Sequence, residues 1–213
     1  NIFETSEQLY STTLFEFDAP YFFLFMDKNV FSLAPPTKFL ITLKSEVCKI
    51  VIEKSIIKRQ TLDYIFNIDQ HVSFDITIQD FLLEVSGFGI MKVSPISLYQ
   101  PLESQLKIKN TNLIFDIITT EIFRLTSATS VTFTNSSIYF KNIVLKPLIL
   151  SMNYKNSSLS STFNFKNSKI INTFVLQSLQ SALEIDSFSL ISYKDSNHKV
   201  YISGSVIQLG LAN

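Results

Sequence analysis

The chain has 213 residues and no net formal charge, with 46% hydrophobic and 17% charged residues, 20 Phe and 8 Tyr. So apolar and aromatic a composition excludes a disordered polymer, and the length is enough to bury a core within one domain. Its two arginines, Arg59 and Arg124, form no basic stripe, which argues against a nucleic-acid partner. The neutral balance hides a polarity, because residues 1–106 carry 8 Lys+Arg against 13 Asp+Glu and residues 107–213 carry 10 against 5. That split suits a molecule that packs head to tail.

Taken in chain order, Ile2 to Tyr10 reads as two helical turns. Ala19–Met26 is the most apolar run; it stops at Asp27-Lys28, well short of the roughly 18–20 residues of a membrane-spanning helix. No membrane span is therefore expected. The chain starts at Asn1 without a signal-peptide pattern, and it reads as a piece of a longer product. Pro20, Pro35 and Pro36 set residues 1–44 apart as an N-terminal cap or edge segment, in which Tyr21–Phe25 either covers the end of a core or forms ordinary core strands. Residues 45–213 read as one continuous domain of short β-rich runs. With Phe39–Leu43 just before it, these are Lys49–Ile52, Ser73–Ile78, Lys107–Lys109, Leu113–Ile117 and Lys199–Ile202. Only Thr173–Leu183 again shows helical spacing, with Phe174, Leu176, Leu179 and Leu183 on one face.

The expected fold class is all-β, either a parallel β-solenoid or an antiparallel sandwich or barrel. The breaks favour the solenoid. Asn-Gly, Asp-Gly and Gly-Gly, the usual hairpin tips, do not occur. The chain breaks instead at Thr-Asn-Ser-Ser (134–137), Lys-Asn (141–142), Lys-Asn-Ser-Lys (166–169) and Asp-Ser-Asn-His-Lys (195–199), where Asn and Ser bend the backbone without reversing it. With only 4 Gly in the chain, Asn has to serve where φ is positive. An internal echo supports stacking: Phe133–Ile138 matches Phe165–Ile170 at an offset of 32, and Phe140–Leu145 matches Ile171–Leu176 at 31. Fainter copies are Phe74-Asp75-Ile76, Phe115-Asp116-Ile117 and Leu183–Phe188. These strand-turn-strand units resemble the right-handed parallel β-helix repeats of the pectin-lyase-like superfold, found in large surface proteins. The resemblance spans about residues 45–207 and implies in-register stacking of like residues about 4.8 Å apart.

Signatures of chemistry are sparse. There is no phosphate loop, His-Glu-x-x-His, Cys-x-x-Cys or Gly-x-Ser-x-Gly, and no cofactor or metal is implied. His71 and His198 read as surface or turn residues, and Cys48 as a small buried apolar one. Asp69, Asp75, Asp80 and Glu84 cluster in sequence; the β-helix resemblance makes them the one place for a polysaccharide lyase or hydrolase, which needs paired carboxylates about 5–10 Å apart. Two sequons, at Asn135 and Asn156, fall at polar breaks and are expected to carry N-glycans on a secreted chain. The expected function is non-enzymatic: a structural or adhesive module of an extracellular, cell-surface or filamentous assembly that self-associates or contacts neighbouring segments. The rivals are a carbohydrate-active β-helix enzyme, a lipid-binding β module and an accessory subunit of an organellar complex.

Overall fold

A computed structural model describes residues 2–4, 13–32, 39–44, 46–68, 73–93, 104–118, 121–125, 129–141, 148–153, 160–174, 191–194 and 197–211. Among them lie twenty strands and no helix. In chain order these are β1 (Ile2–Glu4), β2 (Thr13–Phe17), β3 (Tyr21–Asp27), β4 (Val30–Ser32), β5 (Phe39–Leu43), β6 (Val47–Glu53), β7 (Ile56–Ile68), β8 (Ser73–Gln79), β9 (Leu82–Val93) and β10 (Ser104–Lys109). They continue with β11 (Asn112–Ile118), β12 (Glu121–Leu125), β13 (Thr129–Thr134), β14 (Ser137–Phe140), β15 (Leu148–Asn153), β16 (Ser160–Lys166), β17 (Lys169–Phe174), β18 (Ile191–Lys194), β19 (Asn197–Ser203) and β20 (Val206–Leu211).

Every pairing among these strands is parallel. They form a seven-stranded sheet in the order β19-β16-β13-β10-β8-β6-β3 and a thirteen-stranded one whose main path is β1-β4-β7-β9-β11-β14-β17-β20. A strand of the first sheet, a corner, and a strand of the second make one coil, and successive coils stack: the protein is a parallel β-solenoid. An antiparallel sandwich or barrel is ruled out, because sequence neighbours such as β13 and β14 lie in different sheets and pair with other coils instead of each other.

The corner repeats the same chemistry down the stack. Its first residue is left-handed: Lys28, Lys54, Asp80, Asn110, Asn135 and Asn167 have φ between 47° and 54°, and Gly204 has 57°. Asn stands in for Gly at three of these places, as the scarcity of glycine requires. Lys28 and Lys54 are the surprise, since a left-handed Lys costs roughly 1–2 kcal/mol. Backbone bonds hold them there, with the Lys28 N–H donating to the Glu53 carbonyl at 3.1 Å and the Lys54 N–H to that of Gln79 at 3.1 Å. The second corner residue is usually a small, buried hydroxyl. Thr111 N–H donates to Ser136 Oγ, Ser136 N–H to Ser168 Oγ and Ser168 N–H to Ser205 Oγ, each at 3.1 Å. Each hydroxyl in turn donates to the carbonyl two residues back, as Ser136 Oγ does to Thr134 at 2.9 Å. The polar groups of a buried corner are thereby satisfied from one coil to the next.

Between the sheets, like residues stack into columns. Leu24, Ile50, Ile76, Leu106, Val131, Phe163 and Val200 form one; Met26, Ile52, Ile78, Ile108, Phe133, Phe165 and Ile202 form the next. From the second sheet Phe31, Ile57, Leu83, Leu113, Ile138, Ile170 and Ile207 complete the core. Phe133 is fully buried among Phe123, Phe163 and Phe165, at centroid distances of 5.3–5.9 Å.

Several expectations need adjustment. Ile2–Glu4, read as helical, is strand β1, because parallel pairing to β4 overrides local spacing; Tyr10 lies outside the described residues. Likewise Thr173 and Phe174 end β17, paired with Gly210 and Leu211, and the rest of that segment is not described. The first echo is real, since Phe133 opposes Phe165 and Ile138 opposes Ile170. The second is out of register by one: Phe140 opposes Asn172 and Tyr139 opposes Ile171. Phe74-Asp75-Ile76 and Phe115-Asp116-Ile117 are not equivalent, for they lie in different sheets, and Leu183–Phe188 is outside the described residues. Residues 1–44 supply β1–β5, which pair parallel within the same two sheets, with Pro20 at the bend before β3.

Removing the Phe133 ring by Phe133→Ala should cost about 3–5 kcal/mol, read as a lower urea midpoint. At the corner, Asn110→Val should cost about 1–2 kcal/mol in the same measurement, while Asn110→Gly should leave the midpoint nearly unchanged.

Candidate functional site

The corner that carries the backbone turn also presents a row of polar side chains. Asn110 Nδ2 donates to Asp80 Oδ1 at 3.2 Å, and Asn135 Nδ2 donates to Asn110 Oδ1 at 3.4 Å. Gln79 Nε2 reaches Asp80 Oδ2 at 3.1 Å. Asn167 Oδ1 lies over Gly204, so close that a Cβ there would meet it at 2.3 Å. Asn135, the first sequon acceptor, is thus exposed on an outer corner, with its amide nitrogen engaged in the row. Its downstream hydroxyl, Ser137 Oγ, donates to Asn112 Oδ1 and is buried. Asn156 lies outside the described residues.

Of the four carboxylates that clustered in sequence, the three described, Asp75, Asp80 and Glu84, do not converge. Asp75 is on β8, in the outer face of the seven-stranded sheet, and pairs with Lys107 one coil on at 3.2 Å. Asp80 occupies the corner, and Glu84 is on β9 in the other sheet, paired with Lys141. Alternating strands and a corner therefore point these groups in different directions, and both ion pairs join separate coils. Asp69 and His71 are not described, and His198 is described only through its backbone pairing with Ser161. Among the described residues, no three His, Cys, Asp or Glu side chains come together as a metal site would require. Cys48 is buried on β6, where burial and then the nearby Asp75 carboxylate push its thiol up to about 12.

What remains conspicuous is at the ends of the stack. At the N-terminal end, β3 has no neighbour on its outer edge among the described residues. Its outward side chains Tyr21, Phe23 and Phe25 are 79%, 64% and 55% exposed, joined by Val47 in the next coil. The inward Phe22 and Leu24 are only partly buried, although their column mates Cys48 and Ile50 are sealed. At the C-terminal end the core columns finish in the open, with Val200 43%, Ile202 50% and Ile207 36% exposed. Sequence reasoning singled out Tyr21–Phe25 but missed that alternate residues face outwards. It did not connect Val200, Ile202 and Ile207 with Phe163, Phe165 and Ile170, because that coil lies 37 residues on, a spacing that the 32-residue echo does not reach.

The fold is a parallel β-solenoid, and among its described residues β3, β19 and β20 carry exposed apolar side chains. Comparison with known families, with characterised proteins and with solved structures finds no match for the chain.

The Cys48 thiol should resist alkylation at pH 8 in the folded protein and react at once in denaturant. Because its folded pKa lies above the ordinary value of 9.0, its contribution to stability is complete below pH 9 and is lost as pH rises towards 12. A guanidinium midpoint that falls across that window in the wild type, but less in Cys48→Ala, would show the linkage.

Proposed function

We propose that the chain is a non-enzymatic structural or adhesive module of a cell-surface or filamentous assembly, working by stacking and by contacts at its strand edges. The observation that carries this reading is the outward face of β3, where Tyr21, Phe23 and Phe25 stand in solvent with Val47 of the next coil beside Tyr21. Among the described residues, no strand pairs with the outer edge of β3. Edge strands in proteins that stay monomeric are usually shortened, charged or covered, because an open edge recruits another chain. Here the edge is long and carries three exposed aromatic rings.

The charge split adds direction. In the outermost column of the first sheet, Asp27 and Glu53 occupy the N-terminal coils, whereas Lys109 and Lys166 occupy later ones. Two such stacks attract end to end and repel when like ends meet. The pattern resemblance to pectin-lyase-like surface repeats and the exposed Asn135 support an extracellular setting. There Asn135 would carry a glycan on the outside of the stack, and Asn156, which lies outside the described residues, is the second expected acceptor.

The wild-type protein should self-associate at about 25 mM salt and dissociate at about 500 mM, where screening shortens the reach of charge to a few ångströms. Sedimentation velocity reads this directly, and a monodisperse monomer at low salt would overturn the stacking reading. Peptide mass spectrometry of the secreted chain should find glycan on Asn135; a bare Asn135 would argue for an organellar setting instead.

A further inference from the structure

We infer that the corner of the Asn135 sequon keeps a glycan but cannot acquire one: the sugar is added while the chain is still open, and docking of the next coil, β16 and β17, closes the site. This deepens the reading of Asn135 as a glycan acceptor and rests on it.

Transfer to a sequon needs two groups at once. The Asn amide nitrogen displaces the diphosphate from the anomeric carbon of a lipid-linked oligosaccharide. The new N–C bond forms as the C–O bond breaks, and one amide proton leaves to a base of the transferring enzyme. The hydroxyl two residues on is what that enzyme reads. In the folded chain the two groups are parted. Asn135 stands exposed on the outer corner with φ 49°, while its neighbours turn inward, Ser136 being 3% and Ser137 6% exposed. Ser137 Oγ already donates to Asn112 Oδ1 in the preceding coil. An enzyme that has to hold both amide and hydroxyl reaches only the first.

The segment is also tied from both sides. On the side of the preceding coil, Ser137 N–H donates to the Thr111 carbonyl at 2.9 Å and Thr111 N–H to Ser136 Oγ at 3.1 Å. On the side of the following coil, Asn135 N–H donates to the Lys166 carbonyl at 3.1 Å, Ser136 N–H to Ser168 Oγ at 3.1 Å, and Lys169 N–H to the Ser136 carbonyl at 2.8 Å. The last three need residues made after the sequon. The chain from Asn135 to Lys169 takes roughly 2–7 s to synthesise, and the sequon stays open on that side for at least as long.

Retention differs from acquisition. A sugar replaces one of the two Nδ2 hydrogens, and the other remains for the bond to Asn110 Oδ1 at 3.4 Å. Successive corners lie about 4.8 Å apart, so the row has room outside it for one such chain and not for several. The sequence matches that limit. Among the described corner asparagines only Asn135 begins a sequon, since Asn110-Thr111-Asn112 and Asn167-Ser168-Lys169 lack a hydroxyl at the third place.

The test gives oligosaccharyltransferase and a lipid-linked oligosaccharide to two acceptors: the folded protein made in bacteria, hence without glycan, and a peptide of residues 130–142. Mass spectrometry reads Asn135 in each. The peptide should be modified, and the folded protein at least about 100-fold more slowly, because local opening limits it. Phe165→Ala, which loosens the next coil, should speed modification of the folded protein by roughly tenfold and raise occupancy of Asn135 in secreting cells. Ser168→Ala, which removes only the hydroxyl that Ser136 N–H uses, should act in the same direction with less effect on folding. The glycosylated chain should keep the urea midpoint of the bare one. Equal rates for peptide and folded protein would overturn the closure and leave Asn135 an acceptor. No gain in either variant would overturn closure by β16 and β17, and a glycosylated chain that fails to fold would overturn retention. An unmodified peptide would overturn the acceptor reading and this inference together.

Discussion

A hydrogen bond from the N–H of each left-handed corner residue to a carbonyl in the next coil is the constraint on which the rest depends. From Lys28 to Asn167 it recurs at 2.9–3.1 Å. It fixes the register at one point in every coil, and since side chains alternate along a strand, one fixed point decides which residues face the core all along β13, β16 or β19. A shift by one would send Phe133 and Phe165 into water and draw Thr132 and Asn164 inside. The buried Ser136 and Ser168 hydroxyls serve the same end, giving each corner amide a partner in the following coil.

The same constraint explains why the repeat is so irregular in sequence and so regular in space. Corner residues are separated by as few as 25 positions, Asn110 to Asn135, and as many as 37, Asn167 to Gly204. The first-sheet strands keep to six or seven residues and each meets the same kind of corner, so the variation falls elsewhere in the coil. A loop of variable length adds little to the cost of closing a coil, because closure entropy grows only with the logarithm of length. Stacking energy, in contrast, is summed over every column. Stability of this kind is passed from each coil to its neighbours.

Much of the fold was legible. Short runs of Ile, Val, Phe and Thr without hairpin tips pointed to parallel strands, and β5, β6, β8, β10, β11 and β19 lie where those runs were read. The echo at 32 residues found two coils correctly. Its companion at 31 failed because the eye matched apolar residues while the ladder counts positions: Phe140 meets Asn172, a polar mate that no similarity search would choose. Helix at Ile2–Glu4 failed for a related reason, since three residues have little local preference and take the conformation of the edge they join. The carboxylates looked like a cluster only because sequence distance ignores a corner. Five residues separate Asp75 from Asp80, yet one sits on a face with Lys107 beside it and the other at the turn.

Sequence alone determined the class of structure, because alternation, β-branched content and the kind of turn residue are local properties that act within a few positions. It also held the charge split and the sequon at Asn135. Only the tertiary structure decided which Asn residues become left-handed corners, that Lys28 and Lys54 can share that role, and that Tyr21, Phe23 and Phe25 face solvent while Leu24 and Met26 do not. Those outcomes depend on what the next coil offers, a carbonyl or an apolar mate some 25 to 37 residues away.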